Sequence, residues 1–253
     1  MDVTFEIFPS KKLKLDRIPD HWPLTITATQ DSLSPTLETY RQLDGDPTPH
    51  ISAALVEDEA HAHQVTETVH SRVFLIGGDL DPRGEFERAA QLIPYFRHCD
   101  EIGVAGYPEG HPSYPSEDFG DDILGEKQAL GATYVATQMA FNPEAIVEWV
   151  TRIRQKGIRL PVHAGIAAPI SVPKLTQFAM RSGVNTSLGF IKKMSKRDVA
   201  RMIQRYDPQP LMEEIYDHVD GFHIYTFNAI NTTAEWVAGI PWLSALTAEG
   251  SAA

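Results

Sequence analysis

The sequence predicts a (β/α)8 barrel, also called a TIM barrel, on two observations. Eight short β-rich runs alternate with helix-like segments almost from end to end, which is the pattern of βα units around a parallel sheet. The chain has 253 residues and 42% hydrophobic content, a size typical of one such barrel. We therefore expect one catalytic domain over residues 1–253. An open doubly wound sheet is the alternative, because strand count alone does not prove closure.

The eight predicted strands are short runs rich in β-branched and aromatic residues that lie between turn residues. Because the carboxyl ends of barrel strands meet at one face, polar residues that end these runs are expected to share one mouth. In chain order the runs cover residues 4–8, 24–28, 51–55, 72–76, 101–105, 134–138, 161–164 and 221–225.

The clearest predicted helix follows the sixth strand. Asn142 is placed to cap it, Pro143 suits its first position, and Gly157 suits its end. Its apolar face consists of Ile146, Val147, Val150 and Ile153.

Two further helices are predicted over residues 83–96 and 171–183, the second with Ser171 as its cap and Pro173 in its first turn. Extra helical sequence, residues 184–220, then precedes the eighth strand. It contains a basic cluster. The favoured interpretation is a solvated helix face, and the alternative is a binding site for ligand phosphates or a polyanionic tail. The cluster consists of Lys192, Lys193, Lys196, Arg197, Arg201 and Arg205.

Charge and cysteine content narrow the function classes. Lys and Arg number 22 against 34 Asp and Glu, and the net charge of −12 argues against a nucleic-acid or anionic-membrane partner. A small-molecule partner is expected instead. Cys99 is the only cysteine, so a disulfide framework or a thiolate metal cluster within one chain is excluded, which fits a reducing cytoplasm. No stretch approaches the roughly 20 apolar residues of a membrane span, so we expect a soluble, cytoplasmic protein.

Glu6 is a carboxylate inside the apolar first strand. Burial raises the pKa of a carboxyl group toward neutrality, and such a group is a suitable proton donor. The alternative is a Glu on the solvent face of a half-buried strand. The other polar residues at strand ends favour the first interpretation.

Those residues form a set that could bind and protonate a heterocycle, because it offers two carboxylates, a side-chain amide, close-approach glycines and aromatic walls. The set consists of Glu6, Thr27, His50, Ser52, Asp79, Gly106, Tyr107, His111, Gln138, His163, Gly165, His223 and Tyr225.

From Thr4 to about Asn228 the chain resembles the methylenetetrahydrofolate reductase family. The most specific match is the segment from Gly106 to Pro112, which reads Gly-Tyr-Pro-Glu-Gly-His-Pro. The other matches follow in the family's order, and they are Phe5-Glu6-Ile7-Phe8-Pro9, Gly78-Asp79, Gly103-Val104-Ala105, Lys127, Gly131-Ala132, Thr137-Gln138, Phe141, Pro161, Gly165-Ile166 and Gly221-Phe222-His223-Ile224-Tyr225-Thr226.

The resemblance implies reduction of 5,10-methylenetetrahydrofolate to 5-methyltetrahydrofolate by hydride transfer, a step of one-carbon metabolism that serves methionine biosynthesis. It implies that Glu6 is the general acid, that Asp79 faces the redox ring, and that Gln138 holds the pterin. Read alone, Asp79 could equally cap a turn and Gln138 could be a strand-end polar residue. The substrate is also expected to contact Thr27, Phe141 and Tyr225, and the cofactor His50, Ser52, Gly106, Tyr107, His111, Lys127 and Gly165.

Three departures from the family's pattern argue against bound FAD. Gly77 stands where the family usually has an Arg that helps to hold the flavin, and Ala28-Thr29 replaces a usual Tyr-Gly. Polar and basic flavin contacts usually surround the residue that matches Lys127. Here its neighbours are Ile123, Leu124, Gly125 and Glu126. We therefore expect NAD(P)H, with NADH favoured, to pass hydride to the folate directly, without a metal.

Alternatives remain open. The chain could be an FAD-dependent member of the family, or a reductase that uses a deazaflavin donor with a folate-like or methanopterin substrate. A non-catalytic folate-binding subunit would be expected to lack Glu6 or Gln138, and both are present. A metal-dependent hydrolase built on His61 and His63 is disfavoured, because residues i and i+2 diverge on the predicted helix. A homo-oligomer is possible.

Overall fold

The computed structural model describes residues 1–78, 81–111, 114–171 and 206–249, and at its centre is a closed barrel of eight parallel strands. β8 pairs with β1 from Asp2 opposite Gly221 to Glu6 opposite Tyr225, and this pairing closes the sheet. The predicted barrel is therefore confirmed over the open sheet. The strands are β1 (Asp2–Ile7), β2 (Leu24–Ile26), β3 (Thr48–Ser52), β4 (Arg72–Ile76), β5 (Glu101–Gly106), β6 (Tyr134–Thr137), β7 (Val162–Ala167) and β8 (Gly221–Tyr225).

Helices of the described residues surround this sheet. The α-helices, numbered in chain order, are α1 (Ser34–Gln42), α2 (Glu59–Thr68), α3 (Ala89–Leu92), α4 (Glu117–Leu130), α5 (Pro143–Gln155), α6 (Gln209–Ile215), α7 (Ile230–Ala238) and α8 (Pro241–Glu249). Short 3-10 helices cover Leu15–Arg17, Ala53–Leu55, Ile93–Phe96 and Tyr216–His218. Among the described residues, no helix is both long and apolar enough to cross a membrane.

The predicted helix after the sixth strand is confirmed as α5. The side chain of Asn142 accepts a hydrogen bond from the Glu144 amide at 3.1 Å, so it satisfies one of the free donors at the helix start. Gly157, just after the helix, has a φ of 83°, a left-handed conformation that costs glycine little.

The third strand lies three residues earlier than predicted. The apolar run at 51–55 reads as a strand, but after Ser52 it turns into the 3-10 helix Ala53–Leu55. Thr48 and Pro49 pair with β2 instead. As a result, His50 and Ser52 lie within β3, and alternation points both side chains into the barrel.

The predicted helix over 83–96 is wrong in its first half, because the backbone there is bonded to the loop after β3. The Arg83 amide donates to the carbonyl of Ala54 at 3.0 Å, and the Glu85 amide donates to that of Glu57 at 2.9 Å. Helical structure begins only at α3. The predicted helix over 171–183 lies outside the described residues beyond Ser171, and so does the basic cluster at 192–205.

The two faces of the strands bury different side chains. Facing the helices, Phe5 stacks on Trp22 with ring centroids 3.9 Å apart. Inside the barrel, rings fill the space towards the amino ends of the strands: Phe74 lies 6.0 Å from Tyr134, and Tyr134 lies 5.0 Å from His163. This packing leaves the carboxyl ends of the strands as the mouth in which polar side chains gather.

Candidate active site

Glu6 lies inside the barrel, near the carboxyl end of β1. Its neighbours Phe5 and Ile7 are completely buried on the outer face, so alternation along the strand turns Glu6 inward, where its side chain is 14% exposed. Its Oε2 atom lies 3.2 Å from Nε2 of His223 and 3.8 Å from Nδ1 of His50. A solvent-facing Glu is therefore excluded, and the side chain lies in a histidine cluster.

The pKa of Glu6 differs from the expectation. Burial acts to raise it, but the hydrogen bond with His223 and the charge interactions with His50 and His223 together hold the pKa below its ordinary value. The raised pKa predicted from burial is thus wrong for the free protein. The sequence did not reveal that two imidazoles would contact this carboxylate.

His50 is the neutral member of this cluster. Burial lowers its pKa to about 4, against an opposing attraction from Glu6. The ring also packs 4.6 Å from Phe74, and its Nε2 is buried with no hydrogen-bond partner among the described residues. At neutral pH, His50 is therefore an uncharged neighbour of Glu6.

Tyr225 connects Glu6 to the predicted pterin-binding amide. It is opposite Glu6 in the β1–β8 register, and its hydroxyl donates to the Thr137 carbonyl at 3.2 Å and to Oε1 of Gln138 at 3.4 Å. Burial raises the pKa of Tyr225 well above its ordinary value, so the phenol stays a donor. Glu6, His50, Tyr225 and Gln138, predicted from distant parts of the sequence, thus meet at one mouth.

Other predicted substrate contacts have different surroundings. The Thr27 hydroxyl donates to the Ile7 carbonyl at 3.1 Å, which joins β2 to β1 beside Glu6. Phe141 is 4% exposed and packs in a cluster that includes Met139, Ile170 and Tyr206. Asp79 lies outside the described residues.

Two predicted cofactor contacts are glycines that the packing of the chain requires. A Cβ atom on Gly165 would collide with the carbonyl oxygen of Thr137, where β6 and β7 approach closely. A Cβ atom on Gly106 would lie 2.7 Å from the ring of Trp149. Both positions therefore have a structural reason to be glycine that is independent of any ligand.

The loop between β5 and α4 carries the remaining predicted cofactor contacts. Its rings pack on one another: His111 lies 4.5 Å from Tyr107 and 4.3 Å from Tyr114. Beside them Lys127 is 6% exposed, and its ammonium group donates to the Ala105 carbonyl at 3.4 Å. The cavity that these residues line has a volume of about 20 Å³, the space of about one water molecule.

Two positions that the resemblance links to flavin binding have other surroundings here. Lys127 is the cation that matches the family's flavin contact, but burial lowers its pKa to about 8 and its donor points to a backbone carbonyl. Gly77, at the other position, provides no cation. Of these two positions, one has no cation and the other directs its cation at the Ala105 carbonyl.

A larger cavity that was not predicted lies next to the mouth. It has a volume of about 300 Å³ and is lined by Lys12, Lys14 and Arg17 together with the start of α7. Asn228 connects it to the site, because its side chain bonds both backbone polar groups of Phe8, at 2.7 and 2.8 Å. The pair Lys11-Lys12 followed by Lys14 was a signal in the sequence, but three exposed cations in a loop are not diagnostic.

The disfavoured metal site is not formed. The ring of His61 accepts from the Glu57 amide within the capped start of α2, and His63 packs against Tyr95. In the described part of the chain, the donor set that could hold a cation is the cluster at the mouth, with ligand atoms of Glu6, His50 and His223 within 4.8 Å of one another. We assign no metal to it, because contacts at 3.2 and 3.8 Å to one carboxylate oxygen equally suit proton sharing.

Comparisons with known proteins agree on one family. The sequence model of methylenetetrahydrofolate reductase matches residues 75–240. The chain is 31% identical over 159 residues to methylenetetrahydrofolate reductase 2 of Saccharomyces cerevisiae, which covers 57% of this chain and 26% of that protein. It is 28% identical over 185 residues to a probable methylenetetrahydrofolate reductase (NADPH) of Caenorhabditis elegans. This match covers 66% of this chain and 28% of that protein. It is 27% identical over 209 residues to methylenetetrahydrofolate reductase (NADH) 1 of Arabidopsis thaliana. This match covers 66% of this chain and 35% of that protein.

The chain therefore spans about a third or less of the length of these relatives. Among solved structures, an uncharacterized protein from Clostridium thermocellum that binds two copies of 5-methyl-5,6,7,8-tetrahydrofolic acid matches with a TM-score of 0.66. The match covers 99% of this chain and 95% of that one at 13% identity. At that identity the likeness concerns the fold.

Proposed function

The chain belongs to the methylenetetrahydrofolate reductase family, and on that premise we propose that it reduces 5,10-methylenetetrahydrofolate to 5-methyltetrahydrofolate with hydride taken directly from NAD(P)H. The observation that carries the proposal is a carboxyl group, Glu6, held inside the barrel mouth 3.2 Å from the imidazole of His223. NADH is the favoured donor. Relatives are named for either nicotinamide.

The proposed chemistry needs an acid at this place. The methylene bridge opens to an N5 iminium cation before it accepts hydride, and opening requires protonation of the departing nitrogen. In our proposal Glu6 delivers that proton. Asp79 is proposed to stay ionised and to stabilise the cation, so that the two carboxylates have different roles.

Gln138 and Tyr225 are proposed to hold the pterin. A side-chain amide forms paired hydrogen bonds with a heterocycle that has a donor and an acceptor side by side. The Tyr225 hydroxyl at 3.4 Å from Oε1 supports this role, because it links the amide to a residue that is opposite Glu6 in the β1–β8 register. A non-catalytic folate-binding subunit would have no use for an acid in the barrel mouth.

Direct transfer without FAD is supported by the arrangement around Lys127. Lys127, which matches a flavin contact of the family, is buried against the Ala105 carbonyl. At the other position, Gly77 stands where the family usually has an Arg. We propose that the nicotinamide itself occupies the mouth beside the pterin, so that both substrates are bound together. The cavity lined by Lys12, Lys14 and Arg17 supports this proposal, because the donor's phosphates and the folate's carboxylates are both anionic.

The test is an assay of the purified protein, with no flavin added, against NADH, NADPH and a reduced deazaflavin in separate reactions. We expect a colourless protein that oxidises a nicotinamide only when methylenetetrahydrofolate is present. Intersecting double-reciprocal lines are expected, because a ternary complex replaces the ping-pong pattern of a flavin. Stoichiometric FAD or parallel lines would support the FAD-dependent alternative, and activity with the deazaflavin alone would support the other.

Replacement of the acid gives the second test. Glu6→Gln keeps the shape of the side chain but removes the proton, so kcat is expected to fall by about 10² to 10⁴. Asp79→Asn should lower kcat by a smaller factor, since it removes the stabilising charge and not the transferred proton. Glu38→Gln, an exposed position on α1, is the matched control. A Glu6→Gln protein with near wild-type kcat would refute the assignment.

A further inference from the structure

His223 connects Glu6 to a second side chain on β1. It is opposite Thr4 in the β1–β8 register, and it lies two residues before Tyr225, so it shares the inner face of β8. Its Nδ1 atom lies 3.1 Å from the Thr4 hydroxyl oxygen, and its Nε2 atom lies 3.2 Å from Oε2 of Glu6. The residue is 2% exposed, so both ring nitrogens have their partners inside the barrel.

We infer that His223 is the positioning residue of the acid: it holds the transferable proton jointly with Glu6 and fixes the direction of the Glu6 carboxyl group. The inference rests on the proposed reduction. It assigns to His223 and Thr4 a role in the proton transfer that neither the sequence nor the family membership provides.

The Thr4 hydroxyl suits this role because its oxygen accepts a hydrogen bond. Nδ1 of His223 donates to it, which keeps one ring proton on Nδ1 and leaves Nε2 facing Glu6. The transferable proton lies between Nε2 and the Glu6 carboxylate: it is on Nε2 of a doubly protonated ring or on Glu6 beside a neutral ring. The contact of Nδ1 with Thr4 is the same in both cases.

The other groups that face Glu6 do not compete for this proton. His50 on β3 stays neutral because burial lowers its pKa to about 4. Tyr225 on β8 stays protonated because burial raises its pKa. Thr27, after β2, does not titrate. The exchangeable proton therefore belongs to the pair formed by Glu6 and His223.

The proton balance of this pair matches the reaction. The bond between the bridging carbon and the departing nitrogen breaks, its electron pair stays on the nitrogen, and Glu6 supplies a proton there. His223, protonated on both ring nitrogens, passes its Nε2 proton to Glu6 and stays neutral with its other proton on Nδ1, and solvent returns one proton to the pair after product leaves. One proton is consumed per turnover, as reduction by NAD(P)H requires.

The test compares His223→Gln, Glu6→Gln and the double variant for kcat, for KM of the folate and for the pH dependence of kcat. Glutamine keeps a donor near the position of Nε2 but does not titrate. We expect His223→Gln to lower kcat by about 10²-fold with a KM within about threefold of wild type, and to change the pH profile. The double variant should be no slower than Glu6→Gln, because the two residues act as a unit.

Thr4 provides the matched control. Thr4→Val keeps the shape but removes the hydroxyl and should lower kcat, whereas Thr4→Ser should restore it. A merely structural role predicts the opposite pattern: lowered stability, an unchanged pH profile, and losses that multiply in the double variant. That pattern would overturn the inference, and so would activity that a chelator abolishes and zinc restores, because the cluster would then be a metal site.

A measurement on the free wild-type protein separates this inference from the proposed function. Nitrogen-15 NMR of the histidine rings should show Nδ1 of His223 protonated, and Thr4→Val should lower that population. A ring without a proton on Nδ1 overturns the inference even if the enzyme is active and even if His223→Gln does not fold. The expected tautomer in a protein without methylenetetrahydrofolate-dependent activity would instead refute the proposed function alone.

Discussion

At the scale of single residues, Gln138 separates binding from chemistry. Its Oε1 accepts from the Tyr225 hydroxyl at 3.4 Å. Gln138→Ala removes the proposed contacts to the pterin but leaves Glu6 and His223 in place. We therefore expect KM for the folate to rise by about 10-fold or more, with a smaller effect on kcat. Steady-state kinetics measures both, and an unchanged KM would show that the amide does not touch the pterin.

His50 makes the stability of the protein depend on pH. Its pKa falls from 6.5 to about 4 on folding, so the unfolded chain binds more protons between these values, and stability rises with pH across that window. Below pH 4 the free energy of unfolding is lowered by the full amount, about 3 kcal/mol for a pKa shift of this size. The lowered pKa of Glu6 acts in the same direction at lower pH.

His50→Gln should reduce this acid sensitivity. Urea unfolding at pH 7 and at about pH 4.5 gives two free energies of unfolding. The difference between them should be smaller in the variant than in wild type by about 2 to 3 kcal/mol. His21→Gln, at an exposed position before β2, is the control and should leave the difference unchanged. An equal loss in wild type and His50→Gln would mean that His50 is not held neutral by burial.

At the scale of elements, the buried cation on α4 is expected to be a cost to the fold. The pKa of Lys127 falls from 10.5 to about 8 because burial penalises its charge, so the folded protein binds fewer protons between these values. Stability therefore rises with pH through that window. Lys127→Met should raise the free energy of unfolding at pH 7 by about 2 to 3 kcal/mol, and the gain should vanish as pH approaches about 10.5.

Lys11→Met, at an exposed position, is the matched control for Lys127→Met. It should change the free energy of unfolding little, both at pH 7 and near the upper end of the pH window. A loss of stability in Lys127→Met at pH 7 would show that the contact of Lys127 with the Ala105 carbonyl outweighs the cost of burying its charge.

The elements differ in how far the sequence predicted them. α5 was predictable because Asn142, Pro143 and Gly157 are local signals that act within one turn of the helix. β3 and the segment at 83–88 were misread because their partners are distant in sequence: Thr48 pairs with β2, and Glu85 bonds the backbone of Glu57. Pairings of that kind leave no local pattern.

At the scale of the whole molecule, alternating βα units were sufficient to predict the barrel, and a barrel assigns strand-end residues to one mouth. That rule brought Glu6 together with Gln138 and Tyr225. It did not predict how Glu6 would be held, since the contacts to His223 and His50 depend on side-chain directions across a closed sheet. The pKa of Glu6 followed those contacts and not burial alone.

The central claim, reduction of the folate by direct hydride transfer, is tested most directly with NADH that carries deuterium at the transferred position. The purified protein would turn over methylenetetrahydrofolate with this donor in ordinary water, and mass spectrometry would read the product. We expect 5-methyltetrahydrofolate with one deuterium in its methyl group. A product whose methyl group carries hydrogen from solvent, as an exchanging flavin would give, or no product at all, would contradict it.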